Sequence, residues 1–179
     1  MKVVTGPNTR MSYANVWEPK SINGGTPKYS VSLIIPKSDT VTLNKIKAAI
    51  QEAYEEGKTK LQGKGKVPPK LAEISLPLHD GDVEKPDDEA YHGAYFINAK
   101  SDTAPGIVDS QLNRIMDRSE FYSGVYGRAS ISFYAFNASG NRGITCGLNN
   151  LQKIRDGAPL GGKSRPEDDF DVVEDDILG

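Results

Sequence analysis

FYSGVYGRASISFYAFN, Phe121 to Asn137, alternates from end to end. Its odd positions read Phe121, Ser123, Val125, Gly127, Ala129, Ile131, Phe133 and Ala135, small and apolar residues that can pack. Its even positions read Tyr122, Gly124, Tyr126, Arg128, Ser130, Ser132, Tyr134 and Phe136. A period of two places successive side chains on opposite faces of a strand, so one face is core and the other is surface. That surface is too aromatic for an ordinary wet face and too polar for a second core. Gly124 and Gly127 inside the run fit a strongly bent sheet, because glycine permits the kinks that barrel closure needs.

Working outward, Met11–Trp17 and Lys28–Pro36 read as strands, separated by the turn-rich EPKSINGGTP. Asp39 and Thr40 offer N-caps for a helix from about Val41 to Glu56. Leu43, Ile46, Lys47, Ile50 and Tyr54 keep helical spacing there, and Gly57 is a suitable stop. KTKLQGKGKVPPK (Lys58–Lys70) follows as a loop or frayed helix end, then a short strand at Ala72–Leu76. A second loop spans His79–Gly93, with strands at Gly93–Lys100 and Gly106–Asp109. Ser139-Gly140-Asn141 turns into a last strand, Arg142–Leu148. Several short strands with one intervening helix predict a mainly β protein: an OB-type, five-stranded Greek-key barrel with long charged loops. The barrel domain is expected over residues 1–162 and an acidic, disordered tail over 163–179.

A flat base stacks on an aromatic ring, and a cation alongside can hold its phosphate. The even face of Phe121–Asn137 supplies both. Tyr122 and Tyr126 stand about 13 Å apart at strand rise, Arg128 lies next along, and Tyr134 and Phe136 extend the row. Tyr13 and Trp17 share a parity with Met11 on the first strand, and Trp17 is suited either to stacking or to plugging the barrel. Phe96 alternates with Asn98 and Lys100. Arg10, Lys28 and, in the lysine-rich loop, Lys64 and Lys66 are candidate phosphate contacts. The partner that this pattern fits is single-stranded DNA, with duplex DNA as a second candidate.

The net charge of −2 divides unevenly. Residues 167–179, EDDFDVVEDDILG, hold seven of the 24 acidic residues, which leaves 17 against 22 Lys+Arg in the body. A basic body joined to an acidic end suits a protein that handles a polyanion and carries its own competitor. Within the tail, Phe170, Val172, Val173, Ile177 and Leu178 punctuate the carboxylates, among them Asp168, Asp169, Asp171, Asp175 and Asp176. Acidic residues with apolar punctuation can dock on a basic pocket of a partner protein.

Catalysis finds little support. The acidic loop carries His79, Asp80, Asp82 and Glu84, yet Lys85 stands where a calcium loop needs glycine and Tyr91 where it needs glutamate. These carboxylates flank Gly81 and Pro86 in a loop, whereas a two-metal nuclease holds its ligands on rigid elements. Cys146, the one cysteine, alternates with Ile144 and Leu148 as a buried thiol would. No phosphate-binding glycine motif is present. The expectation is a protein without catalytic activity, cofactor or metal. MKVVTGPNTR lacks the apolar stretch of a signal peptide, and the expected location is the cytoplasm, away from membranes.

Several of these segments resemble a phage-encoded single-stranded DNA-binding protein family. The resemblance rests on Tyr122-Ser123-Gly124, Leu148-Asn149-Asn150, Gln152-Lys153, Arg155-Asp156-Gly157 and Leu160-Gly161-Gly162, and on KYSVSLIIPKSD with the helix after it. It spans most of residues 1–165. It implies an OB fold, sequence-tolerant binding of single strands in phage replication or recombination in the host cytoplasm, and no enzyme activity. It also implies an acidic C-terminus that contacts replication or recombination proteins. Many such tails end in phenylalanine; this one ends Ile177-Leu178-Gly179 with Phe170 further inside, which leaves the identity of that partner open. The candidate site residues come from the face argument, not from the family.

Overall fold

A computed structural model describes residues 1–21, 24–161 and 170–173. Of the tail residues singled out above, Phe170 and Asp171 are described, and both are exposed. Asp168, Asp169, Asp175, Asp176, Ile177 and Leu178 lie outside the described residues.

Five strands close on themselves: β2 (Thr9–Lys20), β3 (Lys28–Pro36), β5 (Ala94–Ser101), β8 (Asn141–Arg155) and β7 (Tyr126–Ala138). Neighbours run antiparallel except at the β5–β8 seam, where the strands run parallel with Lys100 opposite Gly147. This is the OB-like barrel that the alternation anticipates. β1 (Lys2–Val4) extends the sheet beyond β7, β6 (Gly106–Val108) lies parallel to β8, and β4 (Leu78–Asp80) adds to β5. The odd face of the deciding stretch is core: Phe121, Val125, Ala129, Ile131, Phe133 and Ala135 are all buried.

Helix α1 (Thr40–Glu56) covers the barrel, burying Leu43, Ile46, Ala49, Ile50 and Ala53, while Lys47 faces solvent. Its start is set as expected: Thr42 donates its backbone N–H to Asp39 Oδ1 at 3.1 Å. At its end, Gly57 donates to the Ala53 carbonyl at 2.9 Å. Two further short helices, α2 (Lys58–Gln62) and α3 (Gly81–Glu84), occupy the two charged loops.

Four local expectations are corrected. The strand anticipated at Ala72–Leu76 is reduced to a 3-10 turn at Leu71–Glu73 and one β-bridge, Ser75 to Gly143 on β8, and the continuous strand begins two residues beyond that segment, at Leu78. Residues 121–125 precede β7 as a turn, so the 13 Å strand spacing of Tyr122 and Tyr126 does not apply. The last strand continues past Leu148 to Arg155, because it pairs with β7 along the whole hairpin. On β2 the parity of Met11 and Tyr13 is broken by a bulge: Ser12 pairs with Ser32 and Asn15 with Ser30, one residue too many on β2. Met11 is fully buried and Tyr13 is 61% exposed.

Candidate nucleic-acid interface

The outer face of β3 and β5 is built from small and polar residues because every second position must face away from the core. Register sets Ser30 opposite Lys100, Ser32 opposite Asn98 and Ile34 opposite Phe96. The serines leave depth, and the result is a cleft of about 530 Å³. Tyr13 and Lys20 wall it from β2, His79 and Lys85 from the acidic loop, and Phe136 and Thr145 from the β7–β8 hairpin.

Behind His79 and Lys85, outside the cleft lining, sits a second apolar cluster of Ile34, Tyr91, Ala94 and Phe96. Tyr91 meets Phe96 edge-on at 5.0 Å, and its hydroxyl donates to Ser32 Oγ at 3.0 Å. His79, opposite Phe96 in the β4–β5 register, stacks on that ring at 5.0 Å.

The acidic loop turns out to be sorted by charge. Lys37 holds Asp80 at 2.9 Å and Asp82 at 2.8 Å. The hydrogen bonds to Asp82 and then Asp80 raise the Lys37 ammonium well above its ordinary range. Asp82 is lowered, first by Lys37 and then by the Gly93 amide. His79 Nδ1 lies 2.8 Å from Glu84 Oε2. The lysine of the loop points the other way, into the cleft: Lys85 Nζ is 5.2, 5.0 and 5.6 Å from the ring centres of Tyr13, Tyr91 and Phe96. Gly81 lets the loop lie this close, since a β-carbon there would stand 2.2 Å from the Tyr91 carbonyl. Among the described residues no group of three or more His, Cys, Asp or Glu is placed to hold a metal ion. Burial pushes the Cys146 thiol up to about 12, in keeping with the inert role read from its neighbours.

Of the residues expected to meet nucleic acid, the cleft brings together Tyr13, Lys100 and Phe136. Phe96 is 4% exposed and lies outside the cleft lining, covered by His79. Tyr134 is 48% exposed and lies opposite Thr145 of the cleft wall, outside the lining itself. Lys28 is ion-paired with Asp102 at 2.6 Å. A second cleft of about 480 Å³ shares Tyr13 with the first and is lined also by Tyr122, Ser123 and Leu160. Tyr122 is anchored there, its hydroxyl donating to Asp156 Oδ1 at 2.8 Å. Burial and then that bond raise the phenol. Beyond it the Tyr126 ring sits under two guanidiniums, Arg155 at 4.1 Å and Arg10 at 5.2 Å.

Four further expected residues stand apart from both clefts. Trp17 packs against the main core and donates its indole N–H to the Phe121 carbonyl at 2.9 Å, the plugging arrangement weighed above. Arg128 is exposed on β7 opposite Gln152. Lys64 and Lys66 are exposed beyond α2. His79, Lys85 and Asn98 were not among the contacts expected from sequence. The strand period could have found Asn98, which shares a face with Phe96 and Lys100; nothing local marks Lys85 among six carboxylates.

A family model described as the ssDNA-binding protein of Enterobacter phage Enc34 matches residues 1–178. The chain belongs to that family. The family's Enc34 protein, solved in complex with ssDNA, superposes with a TM-score of 0.70 at 25% identity, covering 89% of this chain and 88% of that one. Protein p50 of Acyrthosiphon pisum secondary endosymbiont phage 1 is 29% identical over 181 residues, covering 96% of this chain and 95% of the relative. Bacteriophage T7 gp2.5, an ssDNA-binding protein, shares the fold at a TM-score of 0.63 and 15% identity, covering 93% and 98% of the two chains.

Proposed function

We propose that this chain is a sequence-tolerant single-stranded DNA-binding protein that coats exposed strands during phage DNA replication or recombination, without turnover of its own. The observation that carries the reading is the cleft on the β2–β3–β5 face, where Lys20, Lys85 and Lys100 stand beside Tyr13 and Phe136, in a family whose Enc34 member is solved with ssDNA. Rings accept any base by its π face, and lysines accept any phosphate, so the surface favours unpaired strands without reading their sequence. A duplex keeps its bases stacked inside and offers this cleft only phosphates. The acidic tail following the barrel is assigned to recruitment of replication or recombination proteins and to competition with DNA for the basic clefts. The site of action is the host cytoplasm; among the described residues no helix is long and apolar enough to cross a membrane.

Fluorescence anisotropy with labelled single strands of unrelated sequence and a matched duplex, each at low and moderate salt, tests the reading. Tight, salt-sensitive single-strand binding with weaker duplex binding is the expected outcome. Equal duplex affinity would favour a broader recombination role, and an absence of binding would remove the nucleic-acid reading. Cleavage of the labelled strands in magnesium or manganese would overturn the noncatalytic assignment.

A further inference from the structure

One residue of the outer face is held in a conformation that its side chain disfavours. Tyr13 has φ 46°, in the left-handed region. The bulge that causes it turns the ring outward to 61% exposure, while Ser12 before it and Val16 after it are buried. Packing does not account for a strained residue whose ring is in solvent, and such strain gathers at ligand-binding sites.

A second observation says what the ring does there. Tyr13 lines both clefts, with Asn15 and Lys20 in the first and Ser123 and Tyr122 in the second. The two clefts differ in charge. Three lysines line the first; the described lining of the second holds no lysine or arginine and includes Asp88. A phosphate is therefore favoured in the first cleft only, whereas a base fits either. Lys85 Nζ stands over the Tyr13 ring at 5.2 Å, so a base stacking on that face takes the ammonium's place and leaves it free for the adjoining phosphate.

We propose that Tyr13 is a wedge that parts two consecutive bases of the bound strand, one stacked on its face toward the lysine-lined cleft and the next on its face toward Tyr122. The inference rests on the reading of this surface as the single-strand path, and adds to it a fixed unstacked step at one place per protein. The strand then continues beside Pro159, Leu160 and Gly161, which wall the second cleft and lead into the acidic segment.

The test uses the full chain and oligothymidylates one binding site long that carry an adjacent pair of 2-aminopurines, moved stepwise along the strand. Circular dichroism of the pair reports whether the two bases remain stacked, and anisotropy of the same samples reports affinity. The expected result is loss of the paired-base signal at one step with wild-type protein, retention of that signal with Tyr13→Ala, and loss again with Tyr13→Trp. Tyr13→Ala is expected to weaken binding about a hundredfold, since two stacking faces go, against about tenfold for a ring used on one face. Bound strands whose signal persists at every step, or falls equally at every step, overturn the wedge while leaving the binding surface intact. So does a Tyr13→Ala protein that still parts the same step. No binding by wild-type protein overturns both the wedge and the single-strand reading.

Discussion

Lys100 and Lys28 are both lysines at the strand ends beside the cleft, yet the structure separates their contributions. Lys100 is exposed on β5, lines the cleft and makes no ion pair among the described residues. Lys28 is held by Asp102 at 2.6 Å, so a phosphate there must displace a carboxylate, with little net gain in screened solution. Each phosphate contact on a single strand contributes about 0.7 to the slope of log affinity against log salt. Losing one contact should therefore flatten the slope by about 0.7. Over a fourfold rise in salt, from about 50 to about 200 mM, the gap between wild type and Lys100→Ala should narrow by about 2.6-fold. The doubly substituted Lys28→Ala/Asp102→Ala protein removes the whole pair and should keep the wild-type slope. Anisotropy titrations at four salt concentrations measure both. A Lys100→Ala slope equal to wild type, or a flattened slope in the double variant, would refute the assignment of phosphate contacts by cleft exposure and ion pairing.

Three other outcomes are expected. Gly124 has φ +118°, and a β-carbon there would stand 2.2 Å from the Ala158 carbonyl; Gly124→Ala should lift the Gly157–Gly161 strap, breaking the Leu160 N–H bond to Ser123 O at 2.9 Å. Together with the strained φ this should cost roughly 2–4 kcal/mol, and hydrogen exchange at the Leu160 amide should rise well above wild type. Tyr91→Phe deprives buried Ser32 of its partner and should lower stability by about 1–2 kcal/mol in urea titration; an unchanged midpoint would mean water replaces the phenol. Deleting residues 167–179 should tighten single-strand binding, most at low salt where the tail competes best; unchanged affinity would leave the tail as a partner contact alone.

Long-range order was readable where one period persisted. Along Tyr126–Ala138 the apolar residues stay in phase for the whole strand, so its core face follows from spacing, and the turn at Ser139-Gly140-Asn141 points to its hairpin partner. The α1 segment is equally plain, with Asp39 at its start and Gly57 at its end. The β2 strand defeated the same reading at Tyr13, because a single inserted residue reverses the parity of everything beyond it and leaves no local mark in composition. The acidic loop failed for a different reason. Which of its charges faces the cleft depends on Lys37, some 45 residues away, which draws Asp80 and Asp82 to its own side. The residues that wall the cleft come from five separate stretches of chain, and only the closed barrel brings them to one surface.

The parallel seam of that barrel lies beside the cleft. β5 and β8 meet at Lys100 opposite Gly147, whereas β3 and β5 are laddered continuously from Tyr29 to Pro36. The barrel is thus stiff across the floor of the cleft and compliant at one flank, like a ring with a single soft joint. Separating the β7–β8 hairpin from β5 changes the cleft width while few ladder bonds stretch, and a glycine at the joint puts no side chain in the way. On the proposed reading, bases of different size would meet a surface whose aperture adjusts at small elastic cost, giving sequence tolerance a mechanical source beside the chemical one.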